Sequence, residues 1–242
     1  MTSKPVRFCD KLLPDQREHT YLYKDGGDYV AGLYEAICRS SGILSPDQDF
    51  KLEKTDKFTV EEMASNPVSL RFLQFLIQVS GVKRVLEIGA FIGVSAMYFA
   101  KALPKGGEVV TIEKFDHFAA IARRNFVANG LADRITLMEG DAFEIIESLP
   151  QDRKFDLIFI DGNKERYKDY FVMTEPLLSP RGISLVDDCF FHGDVVNAKP
   201  SNEKGAGTKA LLEYAATRTD YHRIALPLAN GIMLMTRKAD GR

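Results

Sequence analysis

Three aspartates end two apolar runs in the second half of the chain and are the best candidates to hold a metal ion. Asp161 ends one run, and Asp187 and Asp188 end the next. Carboxylates gathered at neighbouring strand ends would repel by several kcal/mol, even at an effective dielectric constant of about 20. Oxygen-only ligation favours Mg²⁺, with Mn²⁺ or Ca²⁺ as alternatives, over zinc. The trio therefore predicts a divalent-cation site, although each aspartate alone could cap a helix and Asp161 could pair with Lys164.

The stretch Glu87–Ser95 places two glycines after an apolar run, as a nucleotide-binding turn does. Gly89 and Gly93 permit a sharp turn of the backbone and the close approach of a ligand. The dinucleotide fingerprint G-x-G-x-x-G is not met, because Phe91 stands where the second glycine would admit a pyrophosphate. The sequence therefore disfavours a nicotinamide or flavin dinucleotide, and with it an NAD-dependent dehydrogenase.

Acidic residues also end the next two apolar runs, where they would face the same ligand. Glu113 is placed to accept both hydroxyls of a ribose, and Asp141 and Ala142 could offer a carboxylate and a backbone N–H to an adenine edge. Any one of these acids alone is more often a solvated strand end. A residue that could bind ribose is thus followed by residues that could bind an adenine edge, and no turn suited to a pyrophosphate accompanies them. This combination points to S-adenosylmethionine.

The elements that would position these residues alternate regularly. Five short apolar runs begin 21 to 27 residues apart: Arg84–Ile88, Glu108–Glu113, Arg134–Glu139, Phe155–Asp161 and Gly182–Asp187. Helical stretches between them are typical of βαβ units. Two last runs, Tyr221–Leu226 and Gly231–Thr236, are separated only by Pro227–Asn230, which predicts a hairpin. We predict an α/β fold with a doubly wound, mostly parallel sheet of seven strands and an antiparallel edge.

The first 60 residues are more polar and carry more proline and glycine punctuation than the rest. A helix is predicted at Tyr29–Ser40, where apolar residues recur at helical spacing. We therefore divide the chain into an amino-terminal helical extension, residues 1–60, and one larger domain, residues 61–242.

Composition excludes several classes of protein. The 32 basic and 34 acidic residues give a net charge of -2, which disfavours a nucleic-acid partner. Cys9, Cys38 and Cys189 are too few and too scattered for a disulfide framework or a cysteine zinc site. No apolar run approaches the roughly 20 residues of a membrane span, and no signal peptide is visible. We expect a soluble, cytoplasmic protein.

Residues from about Met63 to Lys238 resemble the cation-dependent O-methyltransferases of the caffeoyl-CoA and catechol type. The matching stretches are Met63–Pro67, Val85–Ser95, Asp161–Tyr167, Asp187–Asp188 with Gly193–Val196, and Ala229–Ile232. The D-x-x-K-x-x-Y element combined with the glycine-containing turn is fairly specific to this family. The resemblance implies a Rossmann-like methyltransferase fold, S-adenosylmethionine as methyl donor and a homodimer.

The resemblance also assigns roles to individual residues. Lys164 would be the general base, with its ammonium pKa depressed by the neighbouring cation and sulfonium, and Asp161, Asp187 and Asp188 would hold the metal. Met63 would lie near the reacting methyl group. The S-adenosylmethionine site would be lined by Met63, Ser65, Glu87, Gly89, Ala90, Ser95, Glu113, Asp141, Ala142 and Asp161.

One departure from the family concerns the metal ligands. Where the family usually has asparagine, this chain has Asp188, so the charges of a divalent cation and its protein ligands sum to -1 instead of 0. We expect tighter metal binding and weaker acidification of a bound hydroxyl.

The acceptor stays open. The first hypothesis is that the acceptor is a small aromatic molecule of the catechol type, with two vicinal oxygens. A hydroxylated transfer-RNA uridine, a macrolide sugar or a polyketide hydroxyl are alternatives on the same scaffold. A non-catalytic nucleotide-binding module is the alternative of another class.

Overall fold

The computed structural model describes residues 27–239, and the chain divides into two compact units between Ile43 and Leu44. The first unit contains helix α1 (Gly27–Ser40), which confirms the helix predicted at Tyr29–Ser40. Cys9 and the rest of residues 1–26 of the predicted extension lie outside the described residues. Residues 44–60 belong to the second unit, where Phe50 and Val60 are buried in the core.

The second unit is built on a sheet of seven strands. The strands are β1 (Arg84–Ile88), β2 (Glu108–Glu113), β3 (Ile135–Glu139), β4 (Phe155–Ile160), β5 (Leu178–Val186), β6 (Tyr221–Leu226) and β7 (Ile232–Arg237). Their order is β3-β2-β1-β4-β5-β7-β6, and β1 to β5 pair in parallel. The order reverses between β1 and β4, where an open α/β sheet binds its ligand. The predicted doubly wound, mostly parallel sheet is confirmed.

The predicted antiparallel C-terminal strand is confirmed, and it lies one place in from the edge of the sheet. Strand β7 runs antiparallel to both of its neighbours, β5 and β6, and β6 forms the edge. Burial explains the order, because Ile232, Met233 and Met235 of β7 are nearly inaccessible, whereas Arg223 and Ile224 of β6 are exposed. The more apolar strand of the hairpin takes the interior position.

Helices cover both faces of the sheet. They are α2 (Pro46–Asp49), α3 (Val60–Met63), α4 (Pro67–Ser80), α5 (Val94–Ala102), α6 (Asp116–Ala128), α7 (Ala142–Ser148), α8 (Tyr167–Thr174) and α9 (Glu203–Thr217). Short 3₁₀ turns lie at Lys164–Arg166, Glu175–Leu177 and Phe191–Val196. Buried residues of α4, α5 and α6 form one core cluster, and buried residues of α7, α8 and α9 form a second. Within the described part of the chain, no helix has the length and apolar character needed to span a bilayer.

The largest differences from the predicted boundaries lie at the starts of β5 and α9. Strand β5 begins at Leu178, four residues before the predicted Gly182, because its pairing with β4 continues past an irregularity in register. Helix α9, for which apolar spacing predicts Thr208–Thr217, begins already at Glu203, and the side chain of Asn202 accepts a hydrogen bond from Gly205 N–H as its cap. Proline and glycine residues near these two starts interrupt the apolar pattern, but the backbone hydrogen bonds of the strand and of the helix continue around them.

Candidate functional site

The carboxyl ends of β1, β4 and β5 meet at one edge of the sheet. Asp161 N–H donates to the Ile88 carbonyl at 2.9 Å, and Asp187 N–H donates to the Ile160 carbonyl at 3.0 Å. Gly89 has a φ of 97°, and a Cβ there would overlap the carbonyl of Asp161. The glycine-containing turn and the first predicted metal ligand are therefore in backbone contact.

Lys164 lies at the centre of a cluster of oxygen atoms. Its Nζ is 2.9 Å from Asp188 Oδ2, 3.4 Å from Asp161 Oδ1 and 3.3 Å from Tyr167 Oη. Tyr167 Oη in turn donates to Asp161 Oδ1 at 3.3 Å. The spacing of three in D-x-x-K-x-x-Y suits the 3₁₀ turn that starts at Lys164, because side chains three apart lie above one another in this helix.

Helix α9 packs directly against the backbone of Lys164. A Cβ on Gly207 would overlap the carbonyl oxygen of Lys164, so only glycine permits the close contact of the helix with the 3₁₀ turn. The packing of α9 therefore sets how deeply Lys164 reaches into the cluster.

Negative charge dominates this cluster. Burial, opposed by Lys164, raises the pKa of Asp161 to about 6, and burial together with the neighbouring aspartates raises the pKa of Asp187 to about 7. Burial alone would lower the pKa of Lys164, but the attraction of Asp161 and Asp188 outweighs it and raises that pKa above its ordinary value. The depressed pKa predicted for Lys164 belongs to a site that holds a cation and a sulfonium, and it stays a prediction, whereas its charged neighbours in this structure are aspartates.

The donor set has the chemistry of a site for a hard cation. Asp161, Asp187 and Asp188 offer only carboxylate oxygens, and the Lys164 ammonium already shows that two of them converge on a positive charge. Asp187 Oδ1 also accepts the Asp188 N–H at 2.9 Å. Among residues 27–239, no group of three or more His, Cys, Asp and Glu side chains has the geometry of a formed metal site. The residues therefore fit a divalent cation in chemistry and charge, while in this structure Lys164 supplies the positive charge.

Glu113, at the end of β2, holds the glycine-containing turn. Its Oε2 accepts the Phe91 N–H at 2.7 Å and its Oε1 accepts the Phe115 N–H at 2.9 Å. Phe91 has a φ of 50°, which is rare for an aromatic residue. Burial raises the pKa of Glu113, although the backbone N–H groups around it act in the opposite direction. The carboxylate thus supports a strained turn at the position predicted for a ribose.

Glu87 is fully buried, with one of its two oxygens satisfied. Thr111 Oγ1 donates to Oε2 at 2.5 Å, and the Ser95 side chain also hydrogen-bonds to this carboxyl. Burial raises the pKa of Glu87 to about 7. Its Oε1 has no hydrogen-bond partner among the described residues, although it is inaccessible in this structure. An orphaned buried acceptor fits a ligand that brings its own donor.

The remaining predicted residues differ in how close they come to this centre. Ser65 Oγ donates to Asp161 Oδ2 at 3.3 Å, which brings Ser65 into the aspartate cluster. Asp141 caps α7 through the Phe143 N–H and pairs with Lys114, which lowers its pKa. The predicted residues Gly89 and Ala90 lie in the glycine-containing turn after β1, and Ala142 is the first residue of α7, directly after its cap Asp141. Met63 ends α3 with 43% of its surface exposed.

Sequence reasoning missed three polar residues of this region: Tyr167, Thr111 and Asn125. Tyr167 stands in the quoted D-x-x-K-x-x-Y element, and its spacing could have assigned it to the cluster. Thr111 pairs in register with Glu87 on the adjacent strand. Asn125, on α6, donates to the carbonyl of Ile92 in the glycine-containing turn at 3.0 Å, and no sequence pattern marks it.

Comparison with known proteins gives a consistent result. Residues 45–238 match a family model described as O-methyltransferase. A catechol O-methyltransferase from Niastella koreensis is 30% identical over 174 residues, 70% of this chain and 79% of that protein. Caffeoyl-CoA O-methyltransferase 1 from Eucalyptus globulus is 30% identical over 176 residues, 68% of this chain and 69% of that protein.

A solved structure extends this similarity to three dimensions. The O-methyltransferase TomG from Streptomyces achromogenes, involved in tomaymycin synthesis and solved in complex with SAM, has a TM-score of 0.69 and 27% identity, over 73% of this chain and 82% of that chain.

The substitution Glu87→Gln should flatten part of the pH dependence of stability. Since burial raises the pKa of Glu87 from 4.5 to about 7, the folded protein holds a proton that the unfolded chain releases, and stability falls as the pH rises through this window. Glutamine has no such cost, so the variant should gain roughly 3 kcal/mol over the wild type between pH 4 and pH 8. Urea unfolding at several pH values measures the difference. The exposed Glu144→Gln is the matched control, and a Glu87→Gln profile parallel to that of the wild type would contradict the burial argument.

Proposed function

Since the chain belongs to the O-methyltransferase family, we propose that it methylates one hydroxyl of a small acceptor with two vicinal oxygens, with the help of a divalent cation. The family model and the relatives identify it as an S-adenosylmethionine-dependent O-methyltransferase of the catechol and caffeoyl-CoA-like class. That coarser assignment confirms the resemblance predicted from the motifs. The metal, the general base and the acceptor are the finer parts of the proposal.

S-adenosylmethionine would bind across the carboxyl ends of β1, β2 and β3. Glu113 would accept the ribose hydroxyls while it continues to hold the Phe91 N–H. Glu87 Oε1 would receive a donor from the methionine part of the cofactor, since this buried oxygen has no partner among the described residues. Asp141 and Ala142 would face the adenine, and Met63, Ser65, Gly89, Ala90, Ser95 and Asp161 would complete the proposed site.

Asp161, Asp187 and Asp188 would hold the cation, with Mg²⁺ favoured and Mn²⁺ or Ca²⁺ as alternatives. The single observation that carries this part is the convergence of Asp161 and Asp188 on one positive charge, the Lys164 ammonium. When bound, the cation would lower the pKa of the acceptor hydroxyl and select which of two vicinal oxygens faces the methyl group.

Lys164 would take the proton as general base. The acceptor oxygen forms a bond to the methyl carbon, the bond from carbon to sulfur breaks, and the hydroxyl proton passes to Lys164 Nζ. Lys164 can accept this proton only when neutral, and Asp161 and Asp188 oppose that state because they raise its pKa. Lys164 can therefore act as a base only if another positive charge, such as the proposed cation, neutralises Asp161 and Asp188. Tyr167 Oη would then help to keep Nζ in place, since it lies 3.3 Å away.

The proposed acceptor is a small aromatic molecule of the catechol or hydroxycinnamoyl type, as the names of the relatives indicate for those proteins. The net charge of -2 favours such an acceptor over transfer RNA. A sugar or polyketide hydroxyl is the second candidate on the same scaffold. We also propose a homodimer, which light scattering would test.

The proposal is tested by incubating the protein with labelled S-adenosylmethionine, Mg²⁺ and a panel of catechols, hydroxycinnamoyl esters, polyketide hydroxyls and transfer RNA. We expect label in a catechol or hydroxycinnamoyl product and its loss when EDTA removes the cation. Turnover that persists in EDTA would contradict the proposed requirement for a metal. Label found only in transfer RNA would contradict the proposal of a small-molecule acceptor. Binding of S-adenosylmethionine without any methylated product would favour the non-catalytic module.

Replacement of Lys164 should remove the base without removing the cofactor site. We expect Lys164→Ala to lower kcat by about 100-fold or more, the usual contribution of a general base, with a nearly unchanged KM for S-adenosylmethionine. Lys168→Ala, on the neighbouring turn of α8, is the control and should retain activity. Turnover of Lys164→Ala at the wild-type rate would show that another group takes the proton.

Asp188→Asn tests the extra carboxylate directly. Asp188 has a φ of 53°, a conformation that asparagine also tolerates, so the backbone should not change. Because one negative charge is lost, we expect the affinity for Mg²⁺ or Mn²⁺ to fall by about tenfold, equivalent to about 1.4 kcal/mol. Calorimetric titration of the metal into both proteins measures the change, and an unchanged or higher affinity of the variant would contradict this account.

A further inference from the structure

Residues 50–59, here called the strap, run along helix α6 toward the candidate site. At its start, Phe50 is buried and its ring meets Tyr98 edge to face, with the ring centroids 4.9 Å apart. Near its end, Lys57 Nζ lies 3.3 Å from His117 Nε2 on the first turn of α6. The strap leads directly into α3 and then to Ser65, which hydrogen-bonds to the metal-site aspartate Asp161.

Two asparagines bind the strap in the same way: Asn125 on α6, and Asn129, the residue that ends this helix as its C-cap. Asn129 accepts the Lys51 N–H at 3.0 Å and donates to the Lys51 carbonyl at 2.9 Å. Asn125 accepts the Glu53 N–H at 2.6 Å and donates to the Glu53 carbonyl at 3.1 Å. Residues four apart on a helix are separated by about 6 Å along its axis, close to the roughly 6.6 Å between alternate residues of an extended strand. The matching repeats allow each amide to pair with a strap peptide.

Only Asn125 has a further partner in the glycine-containing turn. Its Nδ2 also donates to the Ile92 carbonyl at 3.0 Å, and the residue is 1% exposed. The adjacent Phe91 N–H is held by Glu113 at 2.7 Å. The turn is therefore fixed from two sides, by a carboxylate at Phe91 and by an amide at Ile92.

We propose that Asn125 is a positioning residue that couples the docking of the strap to the binding of S-adenosylmethionine. It touches no reacting group, and acts through the Ile92 carbonyl on the turn that the cofactor contacts and through the Glu53 peptide on the strap. The coupling is reciprocal, so a cofactor that stabilises the turn must also stabilise the docked strap. This inference rests on the cofactor site proposed above.

The matched variants Asn125→Leu and Asn129→Leu test the coupling. Each replaces an amide by an apolar side chain of similar size and removes one pair of strap bonds. Asn125→Leu also frees the Ile92 carbonyl, whereas Asn129→Leu frees the Asn125 carbonyl within the helix end. We expect Asn125→Leu to raise the Kd and KM for S-adenosylmethionine about tenfold, the usual effect of an unpaired buried polar group, with kcat nearly unchanged. Asn129→Leu should change both constants by less than about twofold. A purely structural role would lower the stability of the variants without a selective loss of cofactor affinity in Asn125→Leu.

Equal cofactor affinity of Asn125→Leu and wild type, or equal loss in the two variants, would overturn the coupling. Should Asn125→Leu not fold, hydrogen exchange of the wild type decides the question, because the Glu53 N–H itself donates the hydrogen bond that joins the strap to Asn125. Saturating S-adenosylhomocysteine should slow exchange of that amide about tenfold, and an unchanged rate would overturn the coupling. A wild type that binds neither S-adenosylmethionine nor S-adenosylhomocysteine would overturn the proposed cofactor site, and the coupling with it.

Discussion

The crowding of carboxylates at the carboxyl edge of β1, β4 and β5 is the constraint on which the rest of the site depends. Parallel pairing brings Asp161 and Asp187 to the same edge, and burial makes their charge costly. Lys164 relieves part of that cost, because its ammonium reaches both Asp161 and Asp188. Helix α9 in turn keeps the Lys164 backbone in place through Gly207. The chemistry proposed for this enzyme uses the same balance of charge that stabilises the folded site.

A second set of contacts links the cofactor region to this edge. Glu113 and Asn125 fix two adjacent residues of the turn that follows β1, and Gly89 of that turn lies against the Asp161 carbonyl. Rigid support of this kind suits a methyl transfer, where donor and acceptor must be held in line. The turn proposed to bind the methyl donor and the proposed metal ligand Asp161 are thereby held next to each other by direct contacts.

The strand pattern of the sheet could be predicted because buried parallel strands are short, apolar and regularly spaced. Strands β1, β2 and β6 begin and end at the predicted residues, since polar or glycine residues flank them. The start of β5 was missed because Pro180 and Gly182 interrupt its apolar run, while backbone pairing with β4 continues. The placement of β7 inside the sheet could not be read from a hairpin alone, because either strand of a hairpin can pair with β5.

The sequence by itself determined the strand pattern and marked Asp161, Lys164 and Glu113 as candidate site residues, since they stand at recognisable spacings after apolar runs. The tertiary structure alone decided the direction of the pKa of Lys164, because that depends on which charges surround Nζ at distances of 2.9 to 3.4 Å. It also decided the role of Asn125, whose three partners lie 33 and 72 residues away along the chain. Local patterns record where side chains stand along an element, whereas contacts between distant elements arise only when the sheet and its helices pack.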